Sequence, residues 1–274
     1  MPTLFLSLRQ ARAYWDYIMR RNCHFLASVM YAGKAVELEK LRGQELCNDA
    51  VELSGGVNAF SPPKATSHWL KEEGDKYVDE VMRWLRAYEP LFKSFQTPDQ
   101  KESLGFLGST ILKMHAIKAR IKLAGTFFTT EIGYDELLPE FKKIYSLAKS
   151  IYEPLITSVK DKVSYHFDPS VLPALFLLVS RCRDRMLRRA TIRLLTSSFH
   201  RESTWDSLAI ARVGGWIMDT EESGVQTEHI PDHRRARMTK LNVDLFARKA
   251  QMRCYQRVNP EDTEVVWRGT TLTW

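Results

Sequence analysis

The chain has 274 residues and a mass of 31.8 kDa, with 44% apolar and 27% charged residues. A chain of this length buries about three quarters of its unfolded surface, and that apolar content excludes disorder, whose precondition is low hydrophobicity. The 13 Gly and 11 Pro show no period, which excludes a collagen-like chain, and 40 Lys+Arg against 33 Asp+Glu leave a net charge of +7 that allows an acidic partner without demonstrating one.

Met1 to Leu8 holds only a short apolar run with no preceding basic residue, so no signal peptide is expected. Ser7 with Gln10 three residues later is a capping-box pattern. After it Leu8, Ala11, Trp15, Ile18, Phe25, Leu26 and Val29 recur at helical spacing, predicting a helix from about Leu8 to Tyr31. Residues 32 to 65 are less regular, and Ser54-Gly55-Gly56 and Ser61-Pro62-Pro63 mark a loop. A second helix carries Trp69, Val78, Val81, Leu85, Tyr88, Leu91, Phe92 and Phe95 on one side, with Pro90 able to kink it.

Asp99 and Glu102 signal the start of a third helix through Leu107, Ile111, Met114, Ile117 and Ile121, a unit that Gly133 ends. Tyr134 to Val159 forms another amphipathic helix, with Leu137, Phe141, Ile144, Leu147, Ile151 and Leu155 inward. Val171 to Val179 is nearly all apolar. It is too short for a membrane span, which needs about 20 residues, and predicts a buried helix. Two further helices are expected at about Asp184–Ser197 and Thr204–Glu222, the latter ended by Gly224.

The last forty residues change period from 3.6 to 2. Leu241, Val243 and Leu245 alternate with polar residues, as do Ala250, Met252 and Cys254. Val265 and Trp267 start a third run, and Leu272 and Trp274 finish it in the opposite phase after Gly269. Asn259-Pro260-Glu261-Asp262 makes a turn. The expected fold is mainly α: antiparallel amphipathic helices over residues 1–235, sealed by a small antiparallel β-meander over residues 236–274, as one domain.

Signatures of chemistry are sparse. No phosphate-binding glycine loop, nucleophile elbow or H-E-x-x-H is present. His229 and His233 have the i, i+4 spacing of a two-histidine metal site, although Pro231 between them favours a loop. His24 and His115 lie on or near apolar faces, as core or boundary histidines do. Four cysteines, Cys23, Cys47, Cys182 and Cys254, stand far apart and read as reduced thiols of an intracellular protein. Cys182 is either a packing group or, beside arginines, a redox-sensitive thiolate. The seven tryptophans are packing anchors, or else line a groove for an apolar ligand or peptide. Arg181, Arg183, Arg185, Arg188, Arg189 and Arg193 crowd one segment, and His233 to Arg237 another. Such runs form solvated faces and tethers to carboxylates, or contact nucleic acid. No enzyme is expected, because no acid–base or nucleophile set converges.

The stretch from Phe167 to Glu222 contains R-C-R-D-R-M-L-R-R-A, then H-R-E-S-T-W-D-S and A-R-V-G-G-W-I. It resembles the C-terminal regulatory region of fungal zinc binuclear cluster (six-cysteine) transcription factors. Cys182, Arg183 and Asp184 match that family's C-R-D turn, and Arg188 and Arg189 its R-R helix. Arg201, Glu202, Trp205 and Asp206 match its R-E-G-x-W-D-S turn, and Trp216 its A-R-V-x-x-W-I helix. Arg185 stands where the family has proline, and Ser203 where it has glycine. Phe5 to Arg12, His115 to Ile121, Leu138 to Phe141 and the terminal meander extend the likeness over nearly the whole chain. These motif residues read as fold determinants: Asp184 caps a helix, Arg201, Glu202 and Asp206 tie helix ends, and Trp205 anchors the turn between them.

The resemblance implies transcription regulation in the nucleus, with partners in the transcription machinery or a full-length family member, and no membrane. The family reads DNA through an N-terminal module of C-x-x-C pairs holding two zinc ions. Four scattered cysteines cannot supply those six ligands, so no cofactor is expected in this chain. Zinc enters only with an upstream six-cysteine module, and DNA contact is indirect. Two other readings are a stand-alone helical interaction scaffold and a direct nucleic-acid binder through the arginine-rich segment.

Overall fold

The computed structural model describes residues 1–41, 68–101, 103–158, 164–166, 170–197, 199–259 and 264–274. These residues are mainly helical. Among them run α1 (Leu8–Leu41), α2 (His68–Ser94), α3 (Leu104–Gly125), α4 (Leu138–Ser158), α5 (Leu172–Arg181), α6 (Arg185–Ser197) and α7 (Ser207–Glu222). A mainly α chain closed by a β-meander is what the sequence pattern led us to expect.

The capping box forms at α1: Ser7 Oγ accepts from the Gln10 amide at 3.2 Å, and Gln10 Oε1 accepts from the Leu6 amide at 2.9 Å. The helix runs ten residues past the expected end at Tyr31. The loop expected at Ser54 to Pro63 lies outside the described residues. In α2, Trp69 is 63% exposed and Trp84, absent from the expected stripe, is fully buried. The period was right, but the inward arc is centred on Val81, Trp84 and Tyr88. Pro90 lies inside this helix.

α3 begins later than expected. Pro98–Gln100 forms a separate 3-10 turn, and the Ser103 hydroxyl caps α3 by accepting from the Phe106 amide at 3.0 Å. Proline removes a donor and prefers the first turn of a helix, which isolates that turn from α3. α3 stops at Gly125, short of Gly133, and Glu131–Leu137 is a second 3-10 segment leading into α4.

Two apolar cores result. α1, α2 and α3 enclose Trp15, Ile18, Val81, Trp84, Tyr88 and Leu123. The indole N–H of Trp84 donates to Ala11 O, and its ring lies 5.0 Å from that of Trp15. The faces of α3, α4, α6 and α7 surround α5, whose Leu172, Leu175, Leu178 and Val179 are fully buried. At Gly214 of α7 an added Cβ would stand 2.7 Å from Val179 Cβ, so glycine is what lets α7 lie against α5.

Two three-stranded sheets complete the fold. The first was not expected as strand: β1 (Ser164–His166) runs parallel to β2 (His200–Glu202), which pairs antiparallel with β3 (Trp205–Asp206). These strands are too short to show period-2 alternation. Ser203 and Thr204 form the two-residue turn, with Ser203 at φ 52°. That is the position where such turns favour glycine, and serine holds it in strained left-handed backbone. The second sheet is the expected meander, β4 (Arg237–Asp244), β5 (Lys249–Arg257) and β6 (Val265–Thr273). Met238, Leu241, Ala250, Met252 and Cys254 pack onto Val213 and Ile217 of α7. The residues after Asn259 in the expected turn lie outside the described residues. In β6, Val265 and Trp267 are exposed, while Leu272 and Trp274 pack onto this core.

Candidate functional site

The residues of the family-like segment come together at the ends of α5, α6 and α7. Asp184 Oδ1 accepts from the Leu187 amide at 2.8 Å and starts α6. Asp206 Oδ1 accepts from the Leu208 and Ala209 amides at 3.0 Å and starts α7, while its other oxygen takes Arg201 Nε at 2.8 Å. Glu202 is fully buried. It accepts from the amides of Ser170, Val171 and Leu172 at 2.7–3.0 Å, from Ser170 Oγ at 2.5 Å, and pairs with His200 Nε2 at 2.9 Å. A carboxylate at this place satisfies the orphan amides of α5 and complements its dipole. Trp205 packs its ring 5.4 Å from Phe176 of α5, and Trp216 packs between α7 and the meander core.

The arginines form one ionic framework across the body. Arg181 Nη1 donates to Glu131 Oε1 at 2.7 Å, and Arg183 Nη2 lies 3.2 Å from Glu131 Oε2 and 2.7 Å from Glu221 Oε1. Arg188 Nη1 donates to Glu221 Oε2 at 2.5 Å; Arg188 and Arg189 both reach Glu222. Glu221 also accepts from the Ala236 amide at 2.8 Å, which clamps the meander to α7. Arg235, fully buried, forks onto both oxygens of Asp135 at 2.8 and 2.6 Å and donates to the carbonyls of Ile230 and Glu131. Burial opposes ionisation of Glu131, but the guanidinium groups of Arg181 and Arg183 outweigh it and hold the carboxyl below its usual value. Tethering to carboxylates, one of the two readings of these clusters, therefore describes Arg181, Arg183, Arg188, Arg189 and Arg235, while Arg193 is exposed.

The carboxylates of this framework were not singled out in the sequence. Glu131, Glu221, Glu222 and Asp135 sit in ordinary polar surroundings, and the available signal was a surplus of arginines whose counter-charges had to be somewhere.

Cys182 is 2% exposed, in the core, and burial pushes its thiol up to about 11, so it packs as a neutral thiol. The thiolate reading fails because desolvation exceeds the pull of the neighbouring arginines. Beside it a cleft of about 300 Å3 is walled by Tyr134, Leu138 and Ile230, with Asp135, Asp184 and Glu228 at its margin. His229 lies there, 3.8 Å from Asp135 and largely exposed. Asp232–Arg234, which contains His233, is a 3-10 turn. Among the described residues no group of three or more His, Cys, Asp or Glu could hold a metal ion, and no described helix is long and apolar enough to cross a membrane.

His115 hydrogen-bonds the Ser170 carbonyl at 3.0 Å, and burial pushes its pKa down to about 4. His24, expected in the core or at its boundary, is instead exposed on α1. Comparison with protein-family models, curated proteins and solved structures finds no match to this chain.

Proposed function

We propose that this chain is the regulatory, protein-contacting region of a nuclear transcription regulator of the fungal zinc binuclear cluster type. It acts through the transcription machinery or a full-length family member, reaches DNA only through a zinc module outside these 274 residues, and performs no catalysis itself. The observation that supports this reading is the fate of the family-like motif. Asp184 and Asp206 start α6 and α7, Glu202 closes the start of α5, and Arg183 and Arg188 meet on Glu221. These motif residues thus act as fold determinants, the role read for them from their own chemistry.

Direct nucleic-acid binding through the arginine-rich segment would need free guanidinium groups to release counterions. Arg181, Arg183 and Arg188 are buried against carboxylates instead. To test the reading, the tagged chain is expressed in a fungal host, located by microscopy and affinity-purified for mass spectrometry. Nuclear accumulation with co-purifying transcription components is the expected result. Exclusion from the nucleus with no such component would overturn it. A scaffold acting outside transcription would instead bring down other partners.

A further inference from the structure

We infer that the open edge of the meander is a strand-addition site for an extended peptide of another protein, one that alternates acidic and apolar residues. The sheet order is β4-β5-β6, so β4 and β6 are its edges. An edge strand presents unpaired backbone groups, and proteins blunt such edges with bulges, charges or proline. β4 is blunted: its register shifts between Met238 and Lys240, and Lys240 stands on it. β6 has neither a bulge nor a proline: it pairs with β5 over nine residues without a shift, and its single charge, Arg268, is exposed and donates to Gln256 Oε1 at 2.7 Å. Among the described residues no strand pairs with its other side.

The direction of its free groups follows from the hydrogen bonds at its two ends. The Val258 amide donates to Glu264 O, and the Trp274 amide to Arg248 O. Both are facing pairs in the β5–β6 register, so the even-numbered residues of β6 bond to β5. Val265, Trp267, Gly269, Thr271 and Thr273 then turn their N–H and C=O toward the open edge, and all five are exposed.

Gly269 stands at the centre of this row. Its φ is not positive, and an added Cβ would meet only Met252 O at 3.5 Å, an ordinary contact. The fold therefore does not require glycine there, and glycine weakens a strand. A mid-strand glycine is found at a bulge, at a tight bend, or where a ligand or another backbone approaches closely, and the β5–β6 register holds no bulge here.

Charge selects the occupant. The solvent face of the sheet carries Arg237, Lys240, Lys249, Arg253 and Arg257. Asp232 holds Arg237 and Arg257, and Asp244 faces Lys249 while its Oδ1 accepts from the Phe246 and Ala247 amides. Lys240 stands directly opposite Arg253, a like-charge pairing that opposes the sheet. Arg253 lies over Trp267 at 4.3 Å and faces Gly269, where no side chain separates it from the next strand. An acidic side chain on an added strand, set beside Gly269, would meet Arg253 of β5, and apolar ones would continue the row of Val266 and Leu272. A second copy pairing through β6 would instead bring two cationic faces together. Strand addition takes affinity from main-chain hydrogen bonds and specificity from alternate side chains.

This inference deepens the reading of the chain as a protein-contact region. Its test uses purified components, so its failure would leave that reading standing, and nuclear exclusion would leave the edge standing. A fluorescein-labelled nine-residue peptide alternating glutamate with valine is titrated into the full chain by anisotropy, beside a lysine–valine peptide and a thymidine oligonucleotide. Hydrogen exchange follows the amides of Trp267, Gly269 and Thr271. The expected result is binding of the acidic peptide alone, with those three amides protected. Thr271→Pro removes an N–H that faces the edge and lowers affinity roughly tenfold or more. Gly269→Val moves the two readouts in opposite directions: thermal stability rises, while binding falls because a branched side chain now stands between Arg253 and the added strand. Equal binding of both peptides, unprotected amides, or unchanged affinity in both variants would overturn the inference. So would binding of the oligonucleotide alone, or a concentration-dependent dimer that protects the same amides.

Discussion

Glu221→Gln is the sharpest perturbation of the ionic framework. Glu221 is fully buried, and its two oxygens receive Arg183 at 2.7 Å, Arg188 at 2.5 Å and the Ala236 amide at 2.8 Å. Glutamine keeps the shape but removes the charge and turns an N–H2 toward one of two guanidinium donors. Both arginines retain a second carboxylate, Glu131 for Arg183 and Glu222 for Arg188, so neither is fully orphaned. Breaking a buried pair by removing one partner costs about 3–5 kcal/mol, and the surviving contacts place this variant near about 3. At roughly 2–4 °C per kcal/mol for a chain of this size, the Tm falls by about 6–12 °C. Urea unfolding at low and high salt measures it, with Asp16→Asn as the control. The Arg12–Asp16 pair is 68% and 49% exposed, and such a surface pair contributes about 0.5 kcal/mol or less. A Glu221→Gln cost below about 1 kcal/mol, or one that disappears in high salt, would refute the argument that this network holds α6, α7 and the meander together.

Three further outcomes are expected. Burial lowers His115 to about 4, so the unfolded chain binds the extra proton between the usual 6.5 and that value; stability is complete above 6.5 and is lost as pH falls toward 4, a slope that urea midpoints should show and His115→Gln should abolish. Ser203→Gly relieves the left-handed backbone at φ 52°, and after the added freedom of the unfolded chain it should stabilise by about 0.5–1 kcal/mol, read as a higher Tm. In a Cys47→Ser background, peptide mapping of iodoacetamide adducts should find Cys23, which is exposed, labelled in the native protein, and Cys182 and Cys254, which are buried, labelled only after unfolding.

The helices were legible because their apolar residues repeat over three or more turns, as in Leu137, Phe141 and Ile144, and because Ser7 with Gln10 announces a start. The capping role of Asp184 was legible too, since an acidic residue just before a helix has few other uses, whereas Asp206 and Glu202, expected to tie helix ends, also cap α7 and the upstream α5. What escaped notice depends on contacts distant in sequence. Trp84 is inward because α1 supplies Ala11 O as its acceptor, 73 residues away. Glu131 meets Arg181 across 50 residues. The β1–β2–β3 sheet is built from strands of two or three residues, below the length at which alternation exists. The free edge of β6 is a property of sheet order, which a single strand's pattern does not contain.

The central claim is that this helical body regulates transcription when DNA contact is supplied by another module. It is tested most directly by fusing the chain to a heterologous zinc-cluster DNA-binding module and measuring a reporter under that module's target sequence. The account predicts a reporter level that departs from that of the module alone. A folded, nuclear fusion that leaves the reporter at the level of the module alone would contradict it.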